Sequence, residues 1–208
     1  MYACWTVKGG SGSTVFAAAL ALELAGRGKN TTIVDFGGDV PSVLGLAEPA
    51  GRGVRDWLAD QSRQADELHG LGFHASKHLR VIPAGSGSSF DGDALHTMCA
   101  LLDHNSVVDF GTLRPPDSVR KDVSNDWLVI RPCYLALRRA SRLTDPPKGV
   151  VVIKESWRAL TSRDIQAVVG APVVAEITVC DTVARSVDAG LLATRLPKQL
   201  SKELESLK

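Results

Sequence analysis

Apolar residues fall along this chain in short unbroken runs, separated by stretches with helical spacing. The runs at 3–7, 31–36, 79–83, 106–110, 127–131, 149–154 and 173–177 are rich in β-branched side chains and show little polar alternation. Strands buried on both faces read that way, so seven strands are predicted. Between them, residues 14–25 form a helical segment that is apolar on nearly every side, with Gly26 and Gly28 at its end. A helix of that kind has to be enclosed, here against a sheet. Residues 54–68, 91–102, 134–143 and 197–207 also carry helical spacing. Thr161 with Asp164 three residues on reads as a capping box, and Asp181 as the cap of a helix ending before Gly190. Strand–helix alternation implies an α/β fold with a doubly wound, mostly parallel sheet of about seven strands and helices on both faces. In such a sheet the ligand site lies at the carboxyl ends of the strands. No repeat or long linker divides residues 1–208, so a single domain is expected.

Composition narrows the function classes. The 208 residues are 44% apolar and 23% charged, enough for a sizeable core. A net charge of +1 excludes polyanion binding by bulk charge, leaving only local patches for nucleic acid or membrane. Cys4, Cys99, Cys133 and Cys180 have no metal-ligand spacing and are expected to be free thiols in a reducing compartment. The opening MYACWTV has no basic segment followed by an apolar stretch, and no run is long enough to span a bilayer. A cytoplasmic protein is therefore expected.

The chemistry lies in the turn after the first strand: Lys8, Gly9, Gly10, Ser11, Gly12, Ser13, Thr14, running straight into the buried helix. A glycine-rich strand-to-helix turn lets backbone N–H groups face inward, and the helix N-terminus adds positive partial charge, so the turn suits phosphate. Thr14 is placed to offer a hydroxyl to magnesium.

That segment resembles the deviant Walker motif of the ParA/MinD ATPases, Lys-Gly-Gly-x-Gly-Lys-Ser/Thr. Lys8 matches the lysine that reaches the partner subunit's nucleotide in a sandwich dimer. Gly9, Gly10, Gly12 and Thr14 match the cradle and the magnesium ligand, with Ser11 and Ser13 completing it. Two positions depart. Ser13 stands where the family's second lysine contacts the β- and γ-phosphates, and Val7 stands where the loop usually opens with glycine. Loss of one charge-assisted phosphate contact should cost on the order of 2–3 kcal/mol. The resemblance continues along the chain. Ile33, Val34 and Asp35 resemble the second strand and first switch. Gly37 occupies the place of the water-positioning aspartate, with Asp39 nearby. Val107, Val108 and Asp109, followed by Gly111, resemble the Walker B strand. Residues 81–85 and 174–192 resemble the family's third-strand ending and its late strand and helix. Lys154 stands where the family often has an adenine-contacting asparagine. The pattern is nearest the MinD-like branch.

The resemblance implies catalytic candidates Lys8, Asp35 and Asp39 and metal candidates Thr14 and Asp109. It implies ATP or ADP with Mg2+ as a weakened cofactor. It implies a nucleotide-linked homodimeric switch for spatial positioning of a division site, a pilus or secretion apparatus, or DNA, working with a partner protein. Hydrolysis depends on electrostatic stabilisation of the transferring phosphoryl group, so Ser13 and Gly37 predict slow or absent turnover. The alternative is a pseudo-ATPase serving as a nucleotide-independent dimerisation scaffold.

Three further features are expected to be structural. His69, His74 and His78 fit a solvated loop better than a zinc site. Arg131, Arg138, Arg139 and Arg142, preceded by Arg114, Arg120 and Lys121, could contact DNA non-specifically, but the near-zero net charge favours a solvated face. Leu196, Leu200, Leu204 and Leu207 make one stripe on the last helix. The mixed charges of Lys198, Lys202, Lys208, Glu203 and Glu205 favour core packing over a membrane surface.

Overall fold

The computed structural model describes residues 1–88, 91–205 and 207. Ser89 and Lys208 lie outside them. One eight-stranded sheet carries the fold, in the order β3-β4-β2-β5-β1-β6-β7-β8. Its strands are β1 (Tyr2–Trp5), β2 (Thr31–Asp35), β3 (Phe73–His74), β4 (Leu79–Ile82), β5 (Val107–Asp109), β6 (Asn125–Ile130), β7 (Gly149–Lys154) and β8 (Val173–Thr178). Every pairing is parallel except β3 with β4.

The continuous apolar runs are explained by two cores, one on each face. Along β1, β2, β5, β6 and β7 the side chains alternate between them. Ala3, Trp5, Val34, Val108, Leu128, Ile130, Val150 and Val152 enter one core. Cys4, Ile33, Val107, Trp127, Val129, Val151 and Ile153 enter the other. The period of two is intact, but both phases are apolar because both faces are covered. The first core is closed by α3 (Val54–Ala59), α4 (Ala65–Gly70), α5 (Gly92–Ala100), α6 (Asp117–Asp122), α7 (Tyr134–Ala140) and α8 (Ser162–Val169). The second is closed by α1 (Ser13–Gly26), α2 (Val40–Leu44) and α10 (Lys198–Leu204), with α9 (Asp181–Asp188) at its margin.

Helix α1 is enclosed as its composition requires: Ala17, Ala18, Ala19 and Ala21 have no exposure, and Phe16, Leu20 and Leu24 almost none. Leu200, Leu204 and Leu207 are buried and Leu196 partly so, in the same core, which is the packing expected of the last helix. Among the described residues no helix is long and apolar enough to cross a membrane, and the four cysteines are free thiols.

Several elements differ from expectation, each for a local reason. The eighth strand is the two-residue β3, held by a reversal in which Ala75 N–H donates to Leu79 O at 2.9 Å and Leu79 N–H to Ser76 Oγ at 3.2 Å. Two residues carry no readable period. His69 lies in the last turn of α4 and His74 in β3, so the histidine segment is not loop throughout. His78 Nδ1 lies 3.0 Å from Asn30 Oδ1. Residues 54–68 break into α3 and α4 because Asp60 folds a turn between them. Its Oδ1 accepts from Ser62 N–H and Oγ–H at 2.9 and 2.7 Å, and Arg52 pairs with its Oδ2 at 2.8 Å. Asp181 is the first residue of α9, whose cap is Cys180. The capping box of Thr161 and Asp164 forms as expected.

Candidate functional site

Strands β5 and β6 flank β1, so the strand order reverses beside the carboxyl end of β1. That is where an open parallel sheet leaves a crevice for a ligand. The loop from Lys8 to Ser13 fills the lip of this crevice and feeds α1. Its shape depends on two glycines with left-handed backbone, Gly10 at φ 73° and Gly12 at φ 87°. A side chain at either would be strained. Open space lies where Cβ atoms at Gly9 and Gly10 would stand. Among the described residues, no backbone N–H from Gly9 to Val15 donates to a protein acceptor. Phe16 N–H begins the helical ladder, bonding Gly12 O at 2.9 Å. A run of free donors at the start of a long helix is an anion cradle. The loop's own side chains do not plug it: Ser11 Oγ–H turns back to Lys8 O at 2.9 Å, and Lys8 Nζ donates to Gly9 O at 2.8 Å. Ser13 is buried at the first turn of α1 and brings no charge.

Two carboxylates stand side by side at the neighbouring strand ends, since Asp35 of β2 is paired in register with Asp109 of β5. Both are fully buried. Asp35 is committed to the backbone: Oδ1 accepts from Gly37 and Gly38 N–H, each at 2.8 Å, and Oδ2 from Val40 N–H at 3.0 Å. It therefore shapes the turn into α2. Burial raises its pKa, moderated by those three bonds. Asp109 is different. Its Oδ1 accepts from Gly111 N–H at 3.0 Å, while its buried Oδ2 has no hydrogen-bond partner among the described residues. Burial pushes its carboxyl up to about 6, opposed by the nearby Thr14 hydroxyl and the Gly111 N–H, while the neighbouring Asp35 and Asp39 add to the effect of burial. Gly37 lies against this oxygen, since a Cβ there would stand 4.0 Å from it. Asp39 is exposed at the cap of α2.

The loop, Thr14, Asp35 and Asp109 are thus gathered at one place, with Asp39 on its rim. The donor set fits a magnesium–phosphate group, with free N–H donors for oxygen anions, a hydroxyl, and an ionisable carboxylate with an unused oxygen. Beside Gly12 a cleft of about 170 Å³ opens between β7, β8 and α9, walled by Phe16, Ile153, Ile177, Val183 and Val187, with Arg131 at its edge. Sequence reasoning did not find this cleft. The signal available was Val183 and Val187, four apart on a helix with no fully buried residue. Lys154 does not line it and instead pairs with Glu176 at 2.7 Å.

The arginine-rich region is neutralised only in part, since Arg138, Arg139 and Arg142 are exposed and in no ion pair among the described residues. Arg131 and Arg158 both pair with Glu155, at 3.2 and 2.7 Å, and Arg114 lies 3.5 and 3.6 Å from Asp117 and Asp145. Arg120, read from the sequence as part of a basic surface, is buried. Its Nε holds Asp126 at 2.8 Å, and Asp126 also accepts from Trp5 Nε1–H at 2.6 Å.

The chain has the fold of the ParA/MinD ATPases. A ParA family ATPase from Chlorobium tepidum TLS superposes with a TM-score of 0.78 at 22% identity, over 100% of this chain and 97% of that one. The septum site-determining protein MinD from Pyrococcus horikoshii OT3, complexed with Mg-ADP, superposes at 0.75 with 17% identity, over 99% and 93%. A MinC:MinD cell division protein complex from Aquifex aeolicus superposes at 0.74 with 16% identity, over 99% and 93%. No protein-family model matches the sequence, and no curated protein matches it either.

Proposed function

We propose that this chain is a ParA/MinD-like nucleotide-linked switch, a single cytoplasmic domain that binds ATP or ADP with Mg2+ and turns ATP over slowly or not at all. The reading is carried by the free N–H donors from Gly9 to Val15 standing beside the partnerless buried oxygen of Asp109. The N–H groups and the α1 terminus would hold phosphate oxygens, and Thr14 and Asp109 would hold the metal. A bound magnesium ion supplies neutralisation of phosphate charge. Asp35 fixes the turn that presents Gly37 and Asp39, and the apolar cleft beside Gly12 has walls suited to the face of a base.

Two features support slow turnover. Ser13 puts no ammonium among the phosphates, and the position expected to orient the attacking water is Gly37, with Asp39 displaced onto α2. Lys8 has its ammonium on its own loop. In the proposed homodimer it would swing out to the partner's nucleotide and replace part of the missing charge. Positioning of a cargo through a partner protein follows the fold neighbours, one of which was solved as a complex of MinD with MinC.

Calorimetric titration of Mg-ATP into the purified protein tests this. Magnesium-dependent binding is expected, strengthened tens-fold or more by Ser13→Lys, in line with about 2–3 kcal/mol for a restored charge-assisted contact. If neither the protein nor the lysine variant binds nucleotide, the switch reading is lost. The second reading, a nucleotide-independent scaffold, then stands, and it is favoured by the missing ammonium at Ser13.

A further inference from the structure

Helix α9 has a cavity on each side. Its inner residues Val183 and Val187 wall the cleft beside Gly12, while its outer residues Thr182, Arg185 and Ser186 wall a separate groove of about 690 Å³ that reaches the segment entering α10. The floor of this groove is apolar, formed by Ala189, Leu191 and Leu196, and Leu191 is 48% exposed. Its rim is cationic, from Arg185, Arg195 and Lys198, and among the described residues no acid lines it. The nearby acids are otherwise engaged or turned away. Asp181 lies 3.8 Å from Arg185, Asp188 lines the inner cleft, and Glu203 accepts from Thr178 N–H and Gln199. Among the described residues Arg195 and Lys198 have no ion-pair partner, and both are exposed.

We infer that this groove docks an acidic amphipathic segment of a partner protein. Apolar side chains of such a segment would cover Leu191 and Leu196, and its carboxylates would meet Arg195 and Lys198, with arginine able to bind bidentately. Charge complementarity decides the sign of the ligand and the apolar floor decides its class. A nucleic-acid backbone has no apolar group to cover Leu191, and a net charge of +1 gives no general field for a polyanion. Because α9 separates the groove from the Gly12 cleft, the inference is independent of nucleotide binding.

Fluorescence polarisation with the full chain tests it. The probe is a labelled helical peptide with leucines on one face and glutamates beside them. The controls are its glutamine counterpart and a labelled DNA duplex. The glutamate peptide should bind about tenfold or more tightly than the glutamine peptide, and Arg195→Glu with Lys198→Glu should remove that difference. Leu191→Asn should weaken both peptides, with an unchanged far-ultraviolet spectrum confirming the fold. Equal binding of the two peptides, no binding of the glutamate peptide, or indifference to the charge reversal would overturn the inference. So would DNA binding through Arg195 and Lys198 that is tighter than peptide binding.

Discussion

Replacing Asp109 with asparagine should make the ligand-free protein more stable at neutral pH, even though the aspartate is fully buried and hydrogen-bonded. Burial lifts its carboxyl from 3.8 to about 6. Each pKa unit is worth about 1.4 kcal/mol, so holding the ionised group in the fold costs about 3 kcal/mol. Because the folded pKa is the raised one, the folded state binds the proton more tightly. The carboxyl therefore favours folding most below about pH 4, and that contribution is lost as pH rises from about 4 to about 6. The asparagine side chain would keep the acceptor for Gly111 N–H and remove the charge from beside Asp35 and Asp39. Urea unfolding of both proteins from about pH 4 to pH 8 should show no gain for Asp109→Asn at the acid end and a gain approaching about 3 kcal/mol at the other. A gain that does not change with pH, or a variant less stable than the parent at about pH 8, would refute the reasoning. The same variant should lose magnesium dependence of nucleotide binding. In the parent protein that dependence should strengthen as pH rises through about 6, where Asp109 ionises.

Other substitutions probe the scaffold. Asp126→Ala leaves Arg120 and Trp5 Nε1–H buried without their shared carboxylate. It should cost about 3–5 kcal/mol in chemical denaturation, and an effect below about 1 kcal/mol would show that the site is wet. Gly45→Ala should lower the thermal midpoint sharply, since Gly45 has φ 74° and a Cβ would stand 1.8 Å from Gly190 O. A midpoint unchanged within error would mean that α2 and the end of α9 are not in contact in solution. Thr14→Val should weaken Mg-ATP more than metal-free ATP in calorimetric titration; equal losses would remove Thr14 from the metal site.

The sheet and α1 were legible because double-sided burial writes long apolar runs, and seven of the eight strands carry them. What escaped were pieces too short for a period to show. Helix α2 spans five residues between the Asp35 turn and Gly45, and α6 six. The loop and both carboxylates were legible from glycine spacing and from acids ending strand-like runs. Their different situations were not, because Asp35 and Asp109 look alike in sequence. Only the geometry shows one satisfied by three N–H groups and the other with an idle oxygen. Arg120 was misread because a sequence does not show that Asp126, six residues on, sits beneath it.

Helix α1 is surrounded by protein along its length, and the loop hangs from its first turn. The loop's curvature is therefore inherited from the folding of the interior rather than imposed by whatever settles there. On the proposed switch reading, the side chain at position 13 can change while the loop keeps its curve.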